Sequence, residues 1–218
     1  MRYTFDWGAI YYPEVWLEAI GITLLYAIGT TIAGLFIGVI GGIISLSPRW
    51  YVRAPIAIWV QFFRSTPLLV QIIWFYYALP ILTGFNLSSW FAAGLGLTLY
   101  MGAFSTEIFR GGVISIEKGQ WNAARALGMS YFKLLRHIIL PQAIRRMIPP
   151  FVSQTILQLK NTSLLYVVAV PDLMYTGYQL TARTYRPLET YTFVALVYFV
   201  LLLPLTLFAK RLETRNHV

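Results

Sequence analysis

From Ser65 to Thr106 the chain carries no Asp, Glu, Lys or Arg. As helix, those 42 residues would extend ~63 Å at 1.5 Å per residue, and a hydrocarbon core is ~30 Å thick. Such a stretch can cross a bilayer twice. The composition agrees, with 11% charged residues, 58% hydrophobic residues and a mean hydropathy of +0.64. A soluble domain carries about 25% charged residues. These figures exclude disorder, collagen and coiled coil, and a soluble enzyme is hard to reconcile with them. The reading is an all-α integral membrane protein of several spans.

Several chemistries are absent. The chain has no cysteine, so it has no disulfide, thiolate metal site or cysteine nucleophile. His137 and His217 are too far apart in sequence to suggest a His-based metal site. The chain has no metal-ligand pair, Gly-x-Ser-x-Gly elbow or intramembrane aspartate pair, which argues against an intramembrane enzyme. At the N-terminus, Arg2 is followed by Asp6, Glu14 and Glu18, the wrong charge pattern for a cleaved leader. The first apolar run is therefore expected to stay in the membrane.

Charges and turn residues divide the chain into five expected spans, about 19–46, 54–79, 89–110, 148–170 and 190–209, forming one transmembrane domain over 1–218. Gln154, Gln158 and Lys160 make the fourth only moderately apolar. With an odd number of spans, twelve of the seventeen Lys and Arg residues fall on one side and three on the other. The positive-inside rule then places the C-terminus and the 111–147 loop in the cytoplasm and the N-terminus outside. Topology thus accounts for the net charge of +9, and no nucleic-acid partner is expected. Gly34, Gly38 and Gly42 recur every fourth residue and predict a face for close helix approach. Pro67 and Pro204 are predicted to kink spans two and five.

The 111–147 loop is long, and long ordered loops tend to be functional. Residues 120–127 read as a short helix that Gly128 can end in a left-handed cap. Residues 129–140 read as a second, amphipathic helix with Ser130 as its N-cap and a break at Pro141. An alanine-faced short helix fits a groove on another protein. Lys133 and Arg136 fit a helix lying on anionic lipid equally well. The residues alone leave both open.

Ala123-Ala124, Gly128 and Ile139-Leu140-Pro141 match the "EAA…G…I-LP" loop of bacterial ABC importer permeases. The fit extends to Phe63-Arg64-Ser65-Thr66-Pro67-Leu68, Glu107-Ile108-Phe109-Arg110-Gly111-Gly112, Gly119-Gln120, Leu140-Pro141-Gln142-Ala143 and Asn161-Thr162-Ser163-Leu164. Over about residues 15–210 the sequence resembles the polar amino acid subfamily, which handles glutamate/aspartate, glutamine, histidine, arginine and cystine. One position departs from the pattern: Asn122 stands where the family has the glutamate that names the loop.

The resemblance implies a type I, MetI-like permease fold of five transmembrane helices with a cytoplasmic coupling helix. It implies two permease chains, identical or paralogous, a dimer of ABC ATPase subunits beneath, and an extracytoplasmic amino-acid-binding protein above. ATP and Mg would be held by the partner ATPase, leaving no cofactor in this chain. The absence of any G-x-x-x-x-G-K-[ST] loop agrees. Asn122, Ala123, Ala124, Arg125, Gly128, Met129, Leu140 and Pro141 would couple to the ATPase. The location implied is the bacterial cytoplasmic (inner) membrane, and no residue is expected to be catalytic.

Arg64, Glu107 and Lys160 are charges within expected spans. Each costs at least about 2.5–3.5 kcal/mol at the bilayer centre, so each should face a partner or a wet cavity. Ion pairing of Glu107 with Arg64 or Arg110 is one reading. Lining the substrate path, with Lys160, Asn161, Thr162 and Gln71 completing a shell around an amino acid, is the other. Two cations against one acid favour glutamate or aspartate as substrate, with arginine, histidine or glutamine as the alternative. An ATP-independent channel or carrier is a further alternative, although five spans do not divide into inverted repeats.

Overall fold

A computed structural model describes residues 4–216, with side chains through Leu212, and its regular structure is helical throughout. Helix α1 (Pro13–Ser45) opens with proline in its first turn, where a missing N–H costs nothing. Helix α5 (Ser89–Ile114) is capped by Ser88, whose Oγ accepts from the Phe91 N–H at 3.2 Å. These two helices form the most extensive pairing in the molecule. The glycine repeat is their seam. A Cβ on Gly34 would lie 2.5 Å from Met101 Cγ, one on Gly42 2.5 Å from Phe109 Cδ1, and one on Gly38 would overlap Ser105.

The expected second span is not one helix. It divides into α2 (Trp50–Ser65), α3 (Leu68–Ile73), a widened π turn (Trp74–Ala78) and α4 (Leu79–Thr83). The two halves are bent by 107°. The cause is local: Thr66 adopts φ −108°, ψ 141°, the extended geometry that a following proline enforces. Gln71, 4% exposed, then closes the break. Its Nε2 donates to the Phe63 carbonyl at 2.9 Å, the Thr66 carbonyl at 3.0 Å and Thr66 Oγ1 at 2.7 Å.

Helix α6 (Lys118–Ala126) lies in the expected cytoplasmic loop and ends, as expected, at a left-handed Gly128 with φ 72°. Next come α7 (Tyr131–Leu134), a π turn (Leu135–Ile139) and α8 (Leu140–Asn161), with no interruption between them. The break expected at Pro141 therefore does not occur. The π turn widens the helix just before the proline, which relieves the clash between its ring and the preceding turn. Ser130 occupies the N-cap position, but its hydroxyl makes no capping bond.

The expected fourth span also changes character. α8 tightens after Asn161 into a 3-10 helix (Thr162–Val168) that ends at Ala169 with φ 56°. Residues 171–189, read from sequence as a loop, contain α9 (Leu173–Thr184), and α10 (Pro187–Asn216) completes the chain. Among the described residues, two helices, 13–45 and 187–212, are long and apolar enough to cross a membrane, or three if the bent pair is one span. The expected five exceed that number because α5 and α8 carry Gly, Ser, Thr and Gln. Gly102, Ser105, Thr106, Gln154 and Gln158 are buried against other helices rather than facing lipid.

Candidate functional site

The structure distributes the expected pathway residues over three places. Arg64 and Glu107 line a cavity of about 550 Å³ between α2 and α5, together with Arg53, Gln61, Thr106 and Arg110. Glu107 pairs with Arg110, whose Nε donates to Oε2 at 3.1 Å and whose Nη2 donates to Oε1. Arg64 rests over the Phe104 ring, 5.4 Å from its centroid, a cation–π contact. Gln71 is elsewhere, holding the α2–α3 break.

Lys160, Asn161 and Thr162 form the third group, where α8 becomes the 3-10 helix. Lys160 is exposed and does not line the α2–α5 cavity. The Thr162 hydroxyl donates to the Leu159 carbonyl at 2.8 Å and is fully buried. Asn161 Nδ2 is buried with no well-formed hydrogen bond among the described residues, and its side chain meets the Tyr100 hydroxyl in a weaker polar contact. A buried amide donor without an acceptor is costly.

The same helix carries a residue that sequence reading took only as a sign of weak apolarity. Gln158 is fully buried and donates to Thr30 Oγ1 at 2.9 Å and to the Leu97 carbonyl at 3.0 Å, tying α8 to α1 and α5. Asp172 is equally buried. It caps α9 through Oδ1, which accepts from the Tyr175 N–H at 2.8 Å, while Thr23 Oγ1 accepts from the Leu173 N–H at 3.0 Å. Burial pushes the Asp172 carboxyl up to about 6, against the opposing pull of backbone N–H bonds from Tyr175 and Met174. A raised carboxyl in the folded state means its contribution is fully present below the ordinary carboxylate range and is lost as pH rises through about 6. The chain is therefore expected to melt higher at pH 5 than at pH 7.5, by about 1 kcal/mol of stability, since much of the shift is already spent between the ordinary carboxylate range and pH 5. In Asp172→Asn that pH slope should be flat in a thermal-shift series.

The 111–147 segment is packed rather than free. Val113, Ile116, Ala124, Leu134, Ile139 and Met147 form one buried cluster beneath α5 and α8. Trp121 and Tyr131 stack with centroids 6.4 Å apart, fixing α6 against α7. The two alanines of the expected knob separate: Ala124, 1% exposed, faces this cluster, while Ala123 faces outward with Asn122, Arg125 and Leu127. Gly128 is exposed at the turn, Met129 is half-buried, and Leu140 and Pro141 begin α8.

A helical bundle with a glycine seam, a proline-broken span and a short amphipathic helix folded beneath it is the architecture of a polytopic membrane protein. Residues 34–218 match the binding-protein-dependent transport system inner membrane component family, and the chain belongs to it. The glutamine transport system permease protein GlnP of Escherichia coli (strain K12) is 36% identical over 217 residues, covering 98% of this chain and 99% of that one. The arginine transport system permease protein ArtQ of Bacillus subtilis (strain 168) is 35% identical, covering 91% of each chain. The histidine/lysine/arginine/ornithine transport system permease protein HisM of Salmonella typhimurium is 36% identical, covering 90% of this chain and 87% of that one. The crystal structure of an amino acid ABC transporter with histidines aligns at a TM-score of 0.91 and 27% identity over 98% of this chain and all of that one. An inward-facing methionine transporter, MetNI, shares the fold at a TM-score of 0.74 and 19% identity, over 92% of this chain and 95% of that one. The chain is thus a permease subunit of a bacterial amino acid ABC importer, residing in the inner membrane. ATP hydrolysis belongs to a separate subunit of such transporters.

Proposed function

We propose that this chain forms one half of an alternating-access pathway for polar amino acids, with Lys160 receiving the substrate carboxylate. Asn161, Thr162 and Tyr100 complete the shell. The observation that carries this reading is the buried Asn161 amide next to Lys160, which makes no well-formed hydrogen bond among the described residues. It offers one cation and one neutral donor, the complement of a single α-carboxylate. An acidic side chain would need a second positive group. Arg64, the cation assigned that task from the sequence, lies instead in the α2–α5 cavity, which Lys160 does not line. The named substrates of similar permeases, glutamine, arginine and histidine, also lie outside the acidic class. Glutamine-like neutral substrates fit best.

In this reading the chain has five spans with its C-terminus cytoplasmic, and a second permease chain completes the pathway. An extracytoplasmic binding protein delivers substrate, and closure of the ATPase dimer is transmitted through residues 122–140. Coupling then joins two distant sites through an element with two arrangements. In proteoliposomes containing the whole transporter and its binding protein, unlabelled glutamine should suppress glutamine uptake at least tenfold better than glutamate does. The reverse order would restore the acidic assignment. Lys160→Ala is expected to cut substrate-stimulated ATP turnover at least tenfold while the subunits still co-purify. Unchanged turnover would remove Lys160 from the pathway.

A further inference from the structure

The α2–α5 cavity holds more positive charge than its own carboxylate can neutralise. Arg53, Arg64 and Arg110 contribute three guanidiniums, and Glu107 is the single acid among the lining residues. Both carboxylate oxygens of Glu107 are taken by Arg110. Arg64 lies near enough to act on Glu107 electrostatically, but neither it nor Arg53 is within ion-pair distance of a carboxylate among the described residues. Among the described residues, two guanidiniums therefore face a shared cavity without an ion-pair partner of their own.

The cavity lies close to a membrane surface. Its α2 wall runs from Trp50 to Arg64, yet its α5 wall is the single turn Thr106–Arg110. Alongside the cavity α2 keeps packing on α5, with Val60 and Phe63 against Ala103. Arg110 is four residues from the end of α5, ~6 Å at 1.5 Å per residue. The cation asymmetry of the sequence puts that end on the cytoplasmic side. Trp50, 70% exposed, lines the cavity at the start of α2 and stacks edge-on with the exposed Tyr51, while Ile58 and Phe62 are exposed further along α2. Aromatic residues of this kind mark the headgroup level, and apolar ones mark the acyl region.

We propose that this cavity is a binding site for the phosphate headgroup of an anionic phospholipid of the cytoplasmic leaflet, held by Arg53 and Arg64. Guanidinium forks match phosphate oxygens two at a time, and basic pockets between membrane helices on the cytoplasmic side take such headgroups. The Phe104 ring lies beneath the Arg64 guanidinium, 5.4 Å from its centroid, and helps hold it at the cavity wall. Bound lipid would brace the α2–α5 packing beside the Thr66-Pro67 break.

The test uses the whole transporter with its ATPase, purified in nanodiscs of equal parts phosphatidylglycerol and phosphatidylcholine. Native mass spectrometry then counts retained lipid. Wild type should retain phosphatidylglycerol preferentially, and Arg53→Gln/Arg64→Gln should lower that retention at least fivefold. Arg183→Gln, which removes an exposed cation near the end of α9, should leave it unchanged. If the double variant fails to assemble, either single variant should lower retention at least twofold. Equal retention in wild type and variants would overturn the proposal. Displacement of the lipid by 10 mM inorganic phosphate would show a soluble oxyanion as the true occupant and overturn the lipid source. Displacement by millimolar glutamine would assign the cavity to the transport path and overturn the site. The readout is lipid retention, so its outcome is separable from that of the Lys160 experiment.

Discussion

Gly38→Leu is expected to abolish the folded permease. A Cβ at that position overlaps Ser105 and lies 2.9 Å from the Ser105 carbonyl carbon, so the obstacle is backbone and cannot rotate away. α1 and α5 would have to separate along their whole seam, where Gly34, Gly41 and Gly42 make equally close approaches to Met101, Thr106 and Phe109. Overpacking commonly costs about 1–3 kcal/mol. A leucine against backbone in the most extensive helix pairing should exceed that range, and a typical domain is stable by only about 5–15 kcal/mol. Between membrane helices, close van der Waals packing drives association because lipid tails are as apolar as leucine. The measurement is the yield of monodisperse transporter by size exclusion after detergent extraction. Gly29→Leu is the control: a Cβ there meets nothing within 4 Å, and full yield is expected. Equal yields from the two variants would refute the seam.

Leu127→Asp is expected to uncouple the permease from its ATPase without unfolding it. Leu127 is 80% exposed at the end of α6, an isolated apolar side chain on the helix that resembles the coupling element. Burying a leucine is worth about 1.5–3 kcal/mol, and each 1.4 kcal/mol is tenfold in affinity. Titrating ATPase onto the reconstituted variant should show binding weakened about tenfold to a hundredfold, with transport falling in parallel and the melting temperature unchanged. Ala124→Leu should behave differently. Ala124 is 1% exposed against the Val113–Leu134–Met147 cluster, so its enlargement should lower the melting temperature as well as the coupling. Leu127→Asp with wild-type ATPase affinity would remove α6 from the interface.

The contrast between Ala123 and Ala124 shows where sequence reading stops. A repeated Ala-Ala announces a short helix with a small face, and Gly128 marks its end. Which alanine faces outward depends on the position of α8 beneath the helix. Pro67 and Pro141 make the same point. Both lack a donor and both were read as breaks, but only Pro67 bends the chain. There the preceding residue is extended and Gln71 closes the gap, while before Pro141 a π turn absorbs the defect.

Membrane residence, the cation asymmetry, the α1 glycine face and the family were fixed by the order of residues, because each depends on local hydropathy, spacing or motif. The grouping of the charges was decided only by tertiary structure. Arg53 and Arg64 are eleven residues apart, three turns of one helix, and sequence reading put them in different places, one in a loop and one within a span. Glu107 was already within one turn of Arg110. Bringing Arg53 and Arg64 to that turn, and keeping Lys160 away from it, depended on how α2 packs against α5. That arrangement follows from how helices pack, which no stretch of sequence encodes locally.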